Sequence, residues 1–407
     1  MGLGYYYQGG ALPNLDYKRY NMSANMDVQA THTTKVSLSL NGRVEDRKTP
    51  LAGFDVQSLF QNIISYLPTQ PLVFSNGDHS QLYASYYDNP SYQKITGNSM
   101  LSQFSIEQQL PVKGLSVKVV GAYDWNPTDP FLGNTGMNQS FRRSWSTPYT
   151  FYTNDPTVNP YVYNQFVPTA KPAFTEEYHQ AQAFTYQGFI NYAGNFGKSA
   201  VTGMVVLEAR TLKASRFSAG RINYEVPVPE LFAGSSVAED QSNDGTSLET
   251  KQRSVVYRVT YAFNDKYLVE ADGRYDGSYY FAPGHRFGFF PAFSAAWRLS
   301  QENFMKKLEW VDEFKIRASY GQSGELAGSP FQYETGFQLY GNSAVLDNTA
   351  TDGLYETTEA NPLITWEKAR KTDLGFNGDF WNGLLSVEAD YFFEKRNNIL
   401  MAPTATV

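Results

Sequence analysis

The chain has 407 residues, a net charge of −7 and no cysteine. The acidic balance excludes a general nucleic-acid binder, which needs a basic footprint. The missing thiols exclude a disulfide framework, a cysteine-ligated zinc and a cysteine nucleophile. Aromatic residues make up 16% of the chain, with 30 Tyr and 28 Phe against 6 Trp, a load that suits pleated strands. No stretch reaches the roughly 18 consecutive apolar residues of a membrane helix, and "MGLGYYYQGG" lacks the parts of a signal peptide. The mean hydropathy of −0.44 has the value of a water-soluble protein. A membrane β-barrel averages to the same polar score, because it alternates apolar and polar residues.

A two-residue period first appears over 20–30, where Tyr20, Met22, Ala24, Met26 and Val28 oppose Asn21, Ser23, Asn25, Asp27 and Gln29. It recurs over 35–45, and more weakly over 100–110, 115–125, 182–193 and 200–210. The clearest case is 254–276, "SVVYRVTYAFNDKYLVEADGRYD". Val255, Tyr257, Val259, Tyr261 and Phe263 fall on one face with Tyr267, Val269, Ala271, Gly273 and Tyr275, while Arg258, Glu270, Asp272 and Arg274 fall on the other. A turn at 264–266 places Phe263 opposite Tyr267, Thr260 opposite Glu270 and Arg258 opposite Asp272. Arg258 and Asp272 are thus the candidate charge pair of a wet lumen. Further strands follow over 287–299, 314–321, 372–380 and 385–394, and 300–311 reads as a helix with Ser300 as its N-cap. The total is about twelve strands, each near the 9–11 residues that cross a bilayer at a tilt.

Connections alternate between short ("THTTK", "PVKG", "GNFGKS", "NDK", "FWNGL") and long (46–99, 126–180, 212–252, 277–286, 322–371). Barrels inserted from one side alternate this way, with short periplasmic turns and long outer loops. The expected fold is an all-β antiparallel transmembrane barrel, its aromatic faces against lipid and its charged faces lining water. A soluble secreted β-rich carbohydrate-binding protein, with the same faces packed between sheets, is the competing reading.

No catalytic constellation is present. The four histidines lie in separate segments, and no Gly-x-Ser-x-Gly or P-loop occurs. No metal or cofactor is expected. "DQSNDG" (240–245) has the first positions of a calcium loop, but Lys251 stands where the bidentate Glu belongs. The long connection 126–178 carries Trp145, Tyr149, Tyr152 and Tyr161 among prolines. Flat rings on a stiffened loop suit sugar rings or peptide side chains, so these four are the candidate ligand contacts.

At 275–304 the chain reads "YDGSYYFAPGHRFGFFPAFSAAWRLSQENF", followed by "FKIRASYGQSGE" at 314–325 and "NPLITWEKARKTDLGFNGDFWNGLLSVEADYFFEKRNNIL" at 361–400. In Asp276-Gly277-Ser278, Phe281, Pro283, Phe290-Pro291 and Trp297-Arg298, and in the order of the three segments, it resembles the SusC/RagA-like TonB-dependent outer-membrane transporters. The resemblance implies energised uptake of oligosaccharides or peptides across the bacterial outer membrane. It also implies a SusD-like lipoprotein lid and TonB as partners, TonB acting through N-terminal regions that this chain lacks. Barrels of such transporters have about 22 strands around a plug. The expectation for residues 1–407 is therefore a single domain, an incomplete, open part of the barrel without the plug.

Overall fold

The computed structural model describes residues 1–400 except 51–54, 128–130, 132–139, 159–160 and 327. Its strands are β1 (Gly2–Gly9), β2 (Asp16–Gln29), β3 (Thr34–Thr49), β4 (Tyr92–Gln109), β5 (Leu115–Trp125), β6 (Phe141–Ser146), β7 (Phe151–Thr153), β8 (Asn164–Phe166), β9 (Ala173–Phe196), β10 (Ser199–Arg221), β11 (Gln241–Phe263), β12 (Tyr267–Ser278), β13 (Phe287–Arg298), β14 (Val311–Glu325), β15 (Gly336–Leu346), β16 (Thr349–Thr358), β17 (Glu367–Phe380) and β18 (Leu385–Asn397). One helix of length, α1 (Val56–Ser65), lies between β3 and β4.

Fourteen strands form one antiparallel sheet in the order β1-β2-β3-β4-β5-β9-β10-β11-β12-β13-β14-β17-β18, with β6 between β4 and β9. β6 continues the row of β5: both pair with β4 on one side and β9 on the other, β5 lower and β6 higher. β7–β8 and β15–β16 are separate hairpins in the outer loops. The sheet agrees with the all-β antiparallel expectation and has two strands more than the about twelve expected, β1 as a further row and β6 within the row of β5. β1 escaped notice because its tyrosines lie on both faces. β6 escaped because it is short and sits in a stretch read as loop.

The register carries the pattern from strand to strand. Phe263 faces Tyr267, which faces Trp297, which faces Ile316 and then Phe376. Val259 leads likewise to Ala271, Phe293, Tyr320 and Thr372. The rings stack in ladders: Tyr267 on Trp297 at 6.1 Å, and Tyr275 on Phe287 at 5.0 Å. This face stays open, with Val259 48% and Phe293 53% exposed, and among the described residues no second sheet covers it. Packed sheets, which the soluble reading required, are therefore not the arrangement. In hydrocarbon such a face is solvated by lipid, and the ladder satisfies the backbone. Asn264 and Asp265, both at positive φ, form the tight turn that sets the β11–β12 register.

β9, β10 and β11 run for 23 or 24 residues. Their apolar outward rows end near Tyr186, Leu207 and Val255, and 13 or 14 further residues in each strand, roughly 45 Å, continue outward. Beyond the hydrocarbon both faces meet water, so the alternation fades while the ladder does not. This corrects the expected loop over 212–252 and places the calcium-like stretch Gln241–Gly245 in β11, where Asp244 pairs with Arg216 at 2.6 Å. The expected helix at 300–311 is also corrected. Only the 3-10 turn Leu299–Gln301 forms, and Ser300 lies inside it. Glu302 leaves the helical path to accept from Lys266 Nζ (2.9 Å), the Tyr267 hydroxyl (2.7 Å) and Trp297 Nε1 (3.2 Å). It thereby ties two short turns together.

The outward face sets a direct test. Val259→Arg in the intact protein should cost roughly 2–4 kcal/mol in lipid vesicles, whereas Thr260→Arg, one residue along on the wet face, should cost less than about 1; urea titration measures both. The Glu302 network sets another. Hydrogen bonds from Lys266, then Tyr267 and Trp297, hold its carboxyl at about 2, below the ordinary 4.5. The charged form is favoured in the fold, so its stabilisation is complete above 4.5 and disappears as pH falls toward 2. Over that window the Tm of the native protein should fall more steeply than that of Glu302→Gln.

Candidate ligand-binding mouth

Two outer connections, 55–91 and 147–172, interlock above the β4–β6–β9 part of the sheet. Asp55 caps α1 by accepting from the Ser58 N–H at 2.9 Å. Asp155 accepts from Ser75 N–H and Oγ (2.9 and 2.7 Å) and from Thr157 Oγ1 (2.7 Å). These bonds, Ser75's first, hold its carboxyl well below the usual carboxylate range. The Tyr163 hydroxyl donates to Asp78, and the Tyr152 N–H donates to the His79 carbonyl at 3.0 Å. Tyr152 stacks on Tyr163 at 5.5 Å and 10°, and Phe151 stacks on Phe166 at 4.6 Å across the β7–β8 hairpin.

Between these loops lies a cavity of about 730 Å³. Tyr149, Phe151 and Phe166 supply its rings, and Gln81, Asn89 and Ser146 supply amide and hydroxyl groups. Lys171 is the one charged residue among its lining side chains. Such a site offers flat apolar faces beside neutral hydrogen-bonding groups, the combination that orients a polar ligand with apolar faces.

The four sequence candidates separate. Tyr149 lines the cavity. Tyr152 stands in the stack behind it, its hydroxyl accepting from Gln165 Nε2 at 2.8 Å. Tyr161 projects 96% exposed. Trp145 is 5% exposed, packed edge-on against Tyr224 at 5.1 Å and beside Phe174 at 6.2 Å. Its place among ligand contacts is thus corrected: β6 turns it outward under the 222–240 connection, away from any free ligand. Phe166 was missed because only the hairpin pairing Phe151↔Phe166 brings it to the cavity.

Arg258 lies opposite Asp272 in register. Its guanidinium, however, makes a two-nitrogen pair with Glu270, Nε at 2.8 Å and Nη2 at 2.9 Å. Glu270 is one methylene longer than Asp272 and reaches the diagonal. Elsewhere on the same face Arg274 pairs with Asp276 at 3.0 Å, and Arg317 with Glu388 at 2.6 Å and Asp390 at 2.7 Å. The concave surface is a wet, charge-matched wall.

This architecture matches a known one. The family model described as "TonB dependent receptor-like, beta-barrel" matches residues 3–407. The chain belongs to that family. As a TonB-dependent receptor barrel it is an outer-membrane protein of a family of receptors and transporters rather than of enzymes. It is 25% identical to TonB-dependent receptor P26 of Formosa agariphila, over 99% of this chain and 38% of the relative. It is 23% identical to TonB-dependent receptor SusC of Bacteroides thetaiotaomicron, over 98% of this chain and 40% of the relative. The barrel chain thus spans about two-fifths of the length of the curated relatives it matches. Among solved structures, the RagAB peptide importer in its "open-open" state superposes with a TM-score of 0.73 at 17% identity, over 96% of this chain and 41% of that one. At that identity the likeness concerns the fold.

Trp145→Ala in the intact protein should remove about 3–5 kcal/mol of local packing and raise hydrogen exchange across 222–240. Tyr161→Ala should leave that exchange unchanged.

Proposed function

We propose that residues 1–407 act as one barrel domain in an energised outer-membrane importer of oligosaccharides or peptides. The mouth cavity makes first contact with the ligand. The observation that carries this reading is the cavity itself: three rings, neutral amides and hydroxyls, in loops fastened to one another on a TonB-dependent receptor barrel. A lining whose only charged residue, Lys171, is already paired with Glu225 favours an oligosaccharide, whose rings stack and whose hydroxyls need uncharged partners. A SusD-like lid lipoprotein over the mouth and TonB below are the partners that the family likeness supports. Transport here is capture followed by gated passage, with no covalent step.

Calorimetry on the intact protein with a panel of neutral oligosaccharides and short peptides tests the reading. Tyr149→Ala combined with Phe151→Ala should weaken binding by about tenfold or more, two ring contacts at about 0.5–1.5 kcal/mol each. Lys171→Gln should change oligosaccharide binding little. Unchanged affinity in the double variant would remove the cavity from uptake, and binding of peptides alone would assign it to peptides.

A further inference from the structure

Several outward-facing cations on this barrel lack the acidic partners that Arg258, Arg274 and Arg317 have on the inward face. Following each outward row from the apolar band toward the outer loops, the first charge is Lys18 on β2, Lys94 on β4, Arg253 on β11, Arg370 on β17 and Lys395 on β18. On β6 and β10 it is a paired cation, Arg143 with Glu176 at 2.8 Å and Lys213 with Glu249 at 3.5 Å; on β3 and β9 it is an acid, Asp46, held by Thr96 Oγ1 at 2.7 Å, and Glu176 itself. Among the described residues Lys94, Arg253, Arg370 and Lys395 form no ion pair, whereas Arg258, Arg274 and Arg317 on the concave face all do. The chain as a whole is acidic by seven charges, so this outward excess of cations runs against its composition.

The strongest point lies on β3 and β4. Lys48 stands directly opposite Lys94, and Lys94 directly opposite Arg143. Arg143 is engaged by Glu176 and Glu230. Lys48 lies over the Tyr92 ring at 5.3 Å and Lys18 over Tyr7 at 5.9 Å. Asp16, across β2 from Lys48, makes no ion pair with it. Like charges placed opposite one another destabilise a sheet unless an anion joins them. On the same outward face, just toward the bilayer, is an apolar groove of about 820 Å³ walled by Tyr5, Tyr20, Met22, Met100 and Trp125. Its floor is Gly42, and a Cβ there would meet only Met22 Cε at 3.8 Å, so the hollow exists because that residue has no side chain.

We propose that β1–β5 bind one phosphate-bearing lipid of the outer leaflet, an acyl chain lying over Gly42 and the phosphate between Lys48 and Lys94. The groove supplies the apolar half of the site and the lysine pair the anionic half. Each half sits at the level of the bilayer where that part of a lipid is found.

Native mass spectrometry of the intact protein, released from micelles doped with phosphatidic acid or phosphatidylcholine, tests this. The native protein should retain phosphatidic acid. Lys48→Gln with Lys94→Gln should reduce that retention about twenty-five-fold, since each cation near a headgroup is worth a factor of about five, and should leave phosphatidylcholine unchanged. Gly42→Leu should reduce retention of both lipids by filling the groove without touching the charges. Lys113→Gln with Lys307→Gln, at the opposite end of the barrel, should match the native protein. Undiminished retention in either the lysine or the glycine variant would overturn the proposal. So would displacement of the lipid by inorganic phosphate at equal concentration, which would make this a site for a free anion.

Discussion

Everything in this molecule depends on a solvent that offers no hydrogen bonds. Hydrocarbon cannot satisfy a backbone amide, so each strand must find its partner and the sheet must be continuous at membrane depth. The same solvent rewards apolar side chains on one face only. Those two demands explain the unbroken pairing from β1 to β18, the outward ladders of Tyr, Phe and Trp, and the charge-matched inner wall. A one-residue slip of β12 against β11 would turn Glu270 and Asp272 into lipid, so register is enforced by the bilayer as much as by the turn at Asn264–Asp265.

That constraint also decides what could be read from residue order alone. Where hydrocarbon touches the chain, alternation is sharp, and the Phe263–Tyr267 and Arg258–Asp272 register follows from it. Where water touches both faces, nothing in the order of residues marks a strand. The upper halves of β9, β10 and β11 therefore looked like loop, although they are as regular as the lower halves. Glu302 shows a second limit. A window of helical appearance was overridden by three hydrogen bonds from residues that only the folded turns bring near.

The mouth was legible by composition and not by position. Aromatic loops with prolines pointed to the right segment, but not to which rings remain free. Trp145 and Tyr149 are four residues apart. One is sealed beneath the 222–240 connection, and the other faces the cavity. The difference arises because β6 is a strand and residue 149 is past its end, so the first side chain obeys the pleat and the second does not. Phe166 needed the β7–β8 pairing to come into view.

The tall wall formed by β9, β10 and β11 has a consequence for how such a protein can change length. A ladder passes its stiffness straight through the membrane surface, so the height of the rim is set by residue count. Two residues added to each paired strand raise that rim by about 7 Å and keep every side chain on its own side. One residue added inverts everything beyond it. Related barrels should therefore differ in rim height by even increments, a ruler graduated in pairs.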